Sequence, residues 1–457
     1  MSQLPTTSDQ RRVLGLGATT AIVVASMIGS GIFVTTGEIG PSLVSPGVVL
    51  LVWVVCGVLA LCGALSLGEL GAMLPRAGGA YVFIRRACGP QLGCFVGLES
   101  MLVSFPASLA IIALVMGRYL ERFDPSISGR ATAIIVVVII TLVHCRGTVF
   151  GAAINTAGAV LKVFLLLIFI VLGLILPTPA SPDIVAATSG APSVLSSAFS
   201  SAVLIVIFAY QGWAIVTVVG GEITRPGRNI PLGILIAVVL VTAIYVLVNI
   251  VFLRAVAPVD MVDANGTPTA TIGSLVASQL FPAWMVSGLD GLIVLFLVST
   301  LLSVALAGGR MAYAISAGGQ LHRGLSRLNS RGAPVPALLL QGAITIVLVG
   351  FFDIKQLLIF SGLLGLFTTS LMIGTVFILR WREPDLPRPF RVPLYPVPPL
   401  AFILLSIWLI WSAAIDNPIE IQLSGIVIAV LGVLAAICIR LNRGDESGAP
   451  GRTMDQP

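Results

Sequence analysis

Two short stretches of this sequence could expose backbone groups able to do chemistry. Met27-Ile28-Gly29-Ser30-Gly31-Ile32-Phe33 lies near the middle of the first apolar run, and Phe208-Ala209-Tyr210-Gln211-Gly212-Trp213 near the middle of the sixth. A glycine inside a helix costs about 1 kcal/mol relative to alanine, so each stretch is a place where a helix can unwind. Unwinding frees N–H groups at the start of one half-helix and C=O groups at the end of the other. The N–H groups suit a carboxylate and the C=O groups an ammonium or a cation, so two such breaks suit a zwitterion. The competing reading is that Gly29 and Gly31 serve only to let helices approach closely, a frequent role of small residues in membranes.

Three charges inside apolar runs are the other candidates: Glu99, Asp290, and Lys162 in Asn155-Thr-Ala-Gly-Ala-Val-Leu-Lys-Val163. A charge in hydrocarbon is costly unless partnered, which makes each a candidate for function. Lys162 either finds partners within the bundle or snorkels to the inner interface. Glu99 and Asp290 are both candidates for burial and either could carry a proton; for Glu99 the alternative is a plain polar contact facing the bundle. Asp290 is expected nearer the outer interface, where it matters less. Pro106, flanked by Ser104 and Ser108, is expected to kink its helix. Trp53, Trp284, Trp381, Trp408 and Trp411 read as interface anchors or packing residues. The six cysteines form no CxxC pair and have no ligand-like spacing to His144 and His322, so no metal site, disulfide framework or cofactor is expected.

Membrane helices must hold these groups. Of 457 residues, 57% are hydrophobic and 10% charged, against about 25% charged in an average soluble domain. Together with a mean hydropathy of +1.07, this excludes an ordinary soluble protein. Apolar runs at 14–40, 43–72, 88–120, 131–146, 152–177, 196–220, 231–255, 283–312, 334–352, 356–380, 394–414 and 420–440 read as twelve spans. Of the 25 lysines and arginines, Arg118, Arg122, Arg130, Arg254 and Lys355 fall outside and Lys162 falls within a span. The other nineteen lie on the side of the first terminus. That bias predicts a multi-pass protein of the cell's inner (plasma) membrane with both termini in the cytoplasm. The net charge of +6 and pI near 9.2 then reflect topology and not a nucleic-acid partner. Asp9-Gln-Arg-Arg-Val-Leu14 superficially resembles a twin-arginine signal, but the apolar run outlasts a signal peptide and no small-residue cleavage site stands out.

Five spans separate the two breaks. Because five is odd, a unit of spans 1–5 repeated as 6–10 must insert upside down, the inverted repeat in which discontinuous helices build a midplane site. The residues around the breaks resemble the amino acid–polyamine–organocation superfamily. The resemblance rests on Met27-Ile-Gly-Ser-Gly-Ile-Phe-Val34 and Glu69-Leu-Gly-Ala-Met-Leu-Pro-Arg-Ala-Gly-Gly-Ala-Tyr81. Phe208-Ala-Tyr-Gln-Gly-Trp213, Gly221-Glu-Ile-Thr-Arg-Pro-Gly-Arg-Asn-Ile-Pro231 and Arg388-Pro-Phe-Arg-Val-Pro393 are similar to its L-type amino acid transporter branch. The likeness covers nearly the whole chain from Arg11 to Arg440.

The resemblance implies an all-α polytopic membrane protein with a LeuT-like 5+5 inverted repeat and twelve transmembrane helices, the first and sixth broken. Residues 1–12 would form a cytoplasmic N-terminus, 13–380 the ten-helix transport core and 381–393 a cytoplasmic loop. Residues 394–440 would add two helices, and 441–457 a disordered cytoplasmic tail. Ile28, Gly29, Ser30, Gly31 and Ile32 would bind the substrate's α-carboxylate and part of its amino group through main-chain atoms. Phe208, Ala209 and Tyr210 would present the opposing carbonyls, with Gly212 in the same interruption. Phe208 would cover the substrate as an aromatic gate, and Trp213 is the second candidate gate. Lys162 matches the lysine that sodium-independent members carry on helix five, where its ammonium bonds carbonyls of helix one in place of sodium. Glu69 and loop 76–81 match cytoplasmic-side gating and structural positions. Thr35-Thr36-Gly37 departs from the proline that the branch often has there.

The function expected is sodium-independent secondary transport of amino acids, neutral ones first, by alternating access through exchange or proton symport. The partners are then an amino acid, possible coupling protons and the lipid bilayer. A polyamine or cationic amino acid antiporter and a non-transporting sensor are the alternatives. No GxxxxGK[ST] segment supports a pump, no repeated filter motif supports a channel, and no nucleophile–base pair supports an enzyme.

Overall fold

Hydrocarbon offers a backbone no water to bond, so apolar runs satisfy their own N–H and C=O groups as helices. The computed structural model describes residues 12–75, 79–146, 149–178, 190–217, 220–263, 265–317 and 323–446, and no strand of a sheet occurs among them. Arg11 and the rest of the N-terminal segment, residues 76–78 of the gating loop, His322 and the tail beyond Glu446 lie outside the described residues.

The helices run in order α1 (Leu16–Met27), α2 (Thr35–Leu43), α3 (Pro46–Met73), α4 (Ala80–Cys88) and α5 (Pro90–Glu99). There follow α6 (Phe105–Glu121), α7 (Gly129–Arg146), α8 (Val149–Ile175), α9 (Ser197–Tyr210) and α10 (Pro226–Ala255). The chain ends with α11 (Ile272–Leu280), α12 (Ala283–Ala317), α13 (Val335–Phe351), α14 (Ile354–Arg382), α15 (Val397–Ala413) and α16 (Pro418–Glu446). Local chemistry sets the starts. Proline, which has no N–H to lose, opens α3, α5, α10 and α16. The Ser196 hydroxyl accepts the Phe199 N–H at 3.2 Å ahead of α9. Asp353 and Gln356 form a reciprocal capping box at the start of α14.

Eight helical segments among the described residues are long and apolar enough to cross a membrane, and four apolar helices are shorter. By length alone this is fewer than twelve full crossings. The causes are local: α1 stops after 12 residues at the first break, and α13 and α15 have 17 each. Other limits also move. α14 runs on to Arg382 and α16 to Glu446, so residues 441–446 are helical where a disordered tail was expected. A helix already nucleated in the membrane gains one bond for each further residue it winds.

Pro106 acts differently from the expected kink. Its missing N–H cannot bond the carbonyl one turn back, and the chain instead widens into a π turn over Ser100–Ser104, with the Phe105 N–H on the Ser100 carbonyl. Large apolar side chains face outward, among them Ile139 on α7, Val171 on α8, Leu404 and Trp411 on α15, and Ile426 and Val433 on α16. These outward apolar faces and the long apolar helices make the chain a multi-pass membrane protein.

α10 packs on α1 and α3, and α9 packs on α3, α14 and α15, which brackets both breaks with continuous helices. The end of α3 is tied to α14 by a buried carboxylate. Glu69 accepts from Arg380 Nε (2.8 Å) and Nη2 (2.6 Å) and from the Val392 N–H (2.7 Å), and the Arg388 Nε lies 3.7 Å away. The Arg380 guanidinium also stacks over the Tyr395 ring at 3.7 Å. Nearby, Arg86 grips Glu383 with a 2.7 Å contact, and that hydrogen bond holds the Glu383 carboxyl below the usual carboxylate range. The pair is about one-third exposed and contributes no more than about 1 kcal/mol.

Candidate functional site

The first break begins where α1 ends at Met27. The Ile28 N–H still bonds the Val24 carbonyl at 3.0 Å, but the Gly29 N–H turns to the Met27 carbonyl at 2.9 Å. The chain then forms one tight turn, Gly31–Phe33, held by Phe33 N to Ser30 O (3.0 Å) and Val34 N to Gly31 O (3.2 Å). The N–H groups of Ser30, Gly31 and Ile32 thus have no acceptor within that turn, as at any helix start. The Ser30 hydroxyl is buried and makes no hydrogen bond among the described residues.

The second break follows α9. The Gln211 N–H bonds the Phe208 carbonyl at 3.2 Å, Gly212 takes φ +113°, and a short turn begins with the Ile215 N–H on the Gly212 carbonyl at 3.1 Å. Only glycine takes that φ without strain. A Cβ at Gly212 would also lie 2.6 Å from the Ser26 carbonyl oxygen. The two breaks therefore touch. A Cβ at Gly31 would lie 2.5 Å from the Cβ of Ala209, whereas one at Gly29 would meet only the Thr300 methyl at 3.9 Å and the Met27 carbonyl at 4.0 Å.

The glycines thus divide between the two roles weighed for them: Gly31 makes a close helix contact, and Gly29 faces free space in the break. Gly31→Ala is expected to destabilise the protein by about 1–3 kcal/mol through overpacking. Gly29→Ala should leave stability within about 0.5 kcal/mol while weakening substrate binding. Thermal unfolding in detergent beside uptake in proteoliposomes checks both, and equal unfolding shifts would contradict the division.

Lys162 is 4% exposed. Its Nζ donates to the Ile28 carbonyl at 2.9 Å and to Thr300 Oγ1 at 3.0 Å, and Thr300 in turn donates to the Phe296 carbonyl at 2.9 Å. The ammonium is therefore anchored on the first break from α8 and α12.

Tyr245 of α10, not singled out in the sequence, reaches both breaks. Its hydroxyl lies 2.8 Å from the Met27 carbonyl oxygen and 3.0 Å from that of Ala209, and its single proton can serve one at a time. Its ring meets Trp53 edge-on at 5.2 Å and Tyr210 at 5.3 Å. The Tyr210 hydroxyl donates to the Trp53 carbonyl at 2.8 Å. Trp53 is fully buried in this aromatic cluster, while Trp284 (76%), Trp381 (80%) and Trp411 (69%) are exposed. One turn beyond Tyr245, Asn249 accepts from Thr36 Oγ1 on α2 and donates to the Tyr245 carbonyl at 2.8 Å. Nothing in sequence spacing marks Tyr245, because a tyrosine in a long apolar run looks like any packing residue.

The other candidates are placed differently. Phe208 is buried at the end of α9. Trp213 packs its indole on Gly63 of α3, and shares a small cavity with Phe402 of α15 and Thr369 of α14. Its ring therefore rests against the surrounding helices. Glu99 is 2% exposed and accepts from Ser104 Oγ at 2.5 Å, across the π turn. Asp290, also a candidate for burial, is 4% exposed and paired with Arg122 at 3.3 Å. A carboxylate so buried is tolerable because a cation meets it. The two half-helices differ in exposure: α1 leaves Ala18, Ala21 and Ser26 exposed, whereas residues 35–40 of α2 are all buried.

The chain is similar to known proteins over most of its length. A family model described as amino acid permease matches residues 14–434. The chain is 30% identical over 434 residues to b(0,+)-type amino acid transporter 1 of Mus musculus, covering 91% of this chain and 85% of that protein. The human protein of that name is 28% identical over 429 residues, with the same two coverages. Large neutral amino acids transporter small subunit 2 of Mus musculus is 28% identical over 457 residues, covering 93% of this chain and 81% of its own length. Two glycine-marked breaks, a buried lysine on one of them and a family match over most of the chain converge: the protein belongs to the amino acid permease family of the amino acid–polyamine–organocation superfamily and is a membrane transporter of amino acids.

Proposed function

We propose that this transporter is a sodium-independent carrier of neutral amino acids that works by alternating access. The observation that carries this reading is the Lys162 ammonium on the Ile28 carbonyl and Thr300 hydroxyl. It supplies a fixed positive charge where a bound cation would otherwise brace the first break, so no sodium is needed to hold that backbone. The substrate carboxylate meets the free N–H groups of Ser30, Gly31 and Ile32. Its ammonium meets carbonyls at the end of α1 and in the Phe208, Ala209 and Tyr210 segment, with Phe208 as the covering ring. Exposure of one α1 face and burial of α2 support a conformation open on the α1 side and shut on the other.

The wider architecture in this reading is a LeuT-like 5+5 repeat. α1 with α2 forms span one, α5 with α6 span three, and α9 with its following turn span six. α15 and α16 are the two added spans, and residues 383–396 are a cytoplasmic loop between them and the core. The nineteen-to-five arginine and lysine bias supports cytoplasmic termini in a plasma membrane. Neutral substrates are favoured because no carboxylate side chain contacts either break among the described residues, and because one relative's name specifies large neutral amino acids. Glu99 supports proton symport over pure exchange as a second reading, since it is buried with a hydroxyl partner and no cation among the described residues.

Labelled amino acid counterflow in proteoliposomes, with and without sodium and a proton gradient, tests the assignment. Exchange of neutral amino acids undiminished without sodium is the expected result. A strict sodium requirement, binding without flux, or preference for a polyamine would overturn it.

A further inference from the structure

The outer rim of the first break is stitched to three other helices by a polar seam that transport chemistry does not use. Asp290, on α12, accepts a hydrogen bond from Ser274 Oγ in the first turn of α11, and a 3.3 Å hydrogen bond from the Arg122 Nε just past the end of α6. One turn before Arg122, the Tyr119 hydroxyl donates to the Phe33 carbonyl at 3.3 Å, on the last residue of the tight turn that ends the break. Tyr119 and Ser274 are fully buried and Asp290 is 4% exposed. Gly273 fits between the two halves of the seam: a Cβ there would lie 3.1 Å from the Tyr119 hydroxyl oxygen and 3.8 Å from the Phe33 ring.

The loop before α11 extends the cover. The Pro258 carbonyl lies over Gly40, and the Thr269 carbonyl over Gly37, so α2 is roofed along most of its length. Beside the roof, a cavity of about 50 Å³ is lined by Phe33, Phe252, Gly273, Ile293 and Phe296. Packed interiors contain few such voids, and this one leaves the outer half-helix room to shift.

We propose that Asp290 is the positioning residue of an outer fastener. Through Ser274 it clamps α11 down over the outer half of the first broken helix, and through Arg122 it fixes that clamp to α6. The fastener is shut when the site is open on the α1 side, and the Ser274 bond releases when the outer side opens. The order follows from the partners. Stripping a buried carboxylate of its one cationic partner among the described residues is strongly unfavourable, whereas a neutral hydroxyl bond is the weaker link. Arg122 has 41% of its side chain exposed and can follow Asp290 as the rim moves. The proposal rests on the alternating-access reading and adds to it which contact holds the outer side closed.

Hydrogen–deuterium exchange on the full-length protein in nanodiscs, with Ser274→Ala and Asp290→Asn, tests it. A membrane hydrogen bond is worth about 0.6–1.7 kcal/mol, so amide exchange over residues 30–43 and 272–280 should quicken about 3- to 18-fold in both variants. Exchange in α14 and α15 should not change. In oriented proteoliposomes the external half-saturation concentration should fall by a similar factor and the internal one should rise, because more of the population is open outward. A purely structural role would loosen the whole of α12 and shift both sides alike. Unchanged deuterium uptake in α2 and α11, or equal shifts on both sides, would overturn the fastener. Should Asp290→Asn fail to fold, Ser274→Ala carries the test alone. Loss of wild-type counterflow would instead count against the carrier reading, and leaves the deuterium result readable.

Discussion

Lys162→Ala will lower amino acid exchange by about 100-fold or more, the loss of two hydrogen bonds from a charged donor at roughly 1.5 kcal/mol each. The protein will nevertheless remain folded. Burying a lysine near mid-membrane costs about 2.5–3.5 kcal/mol, so removing it relieves an expense that offsets the lost bonds. The Ile28 carbonyl, once freed, no longer has a cation to brace it, and the first break loses its shape while the helices around it keep theirs. Counterflow in proteoliposomes beside a thermal scan in detergent separates the two effects. Wild-type turnover in the alanine variant would refute the role given to Lys162. A methionine in its place preserves length without charge and should be equally inactive, which distinguishes the ammonium from the packing of its stem.

Tyr245→Phe tests the joint between the breaks. The hydroxyl is shared by the Met27 and Ala209 carbonyls, so its removal strips a donor from both. Stability should fall by about 1 kcal/mol, within the range measured for hydrogen bonds between membrane helices. Exchange should fall more, about 10-fold, because the lost proton is the one that can pass from one broken helix to the other as they move, which a static contact energy does not count. The ring stays, and with it the edge-on packing on Trp53 and Tyr210. A double-mutant cycle with Lys162→Met shows whether the two braces act together on α1: additive losses would mean that they act on separate parts of the break.

Much of this was legible in the residues. The breaks could be read because glycine and polar side chains interrupt runs that are otherwise uniformly apolar, and Lys162 because a lone cation in such a run needs a reason. Other features had no such contrast. Tyr245 and Trp53 are aromatic residues among aliphatic ones, and their place between the breaks depends on the packing of α3, α9 and α10. Asp290 was visible as a charge, but its burial depends on Arg122, 168 residues earlier in the chain. Pro106 announced a disturbed helix, yet whether the disturbance becomes a kink or a π turn depends on how neighbouring helices fill the space.

Hydropathy and residue type alone determined that the chain lives in a bilayer and where its helices fail. These are properties of short segments in a solvent, and each segment carries its own free energy of transfer. Only the tertiary structure decided which carbonyl Lys162 meets, that one tyrosine spans both breaks, that Gly31 packs while Gly29 stays free, and that the outer half-helix lies under a roof. Those are contacts between residues as much as 232 positions apart, and a buried polar group has to find its partner wherever the fold brings one, because the membrane provides no water in its place.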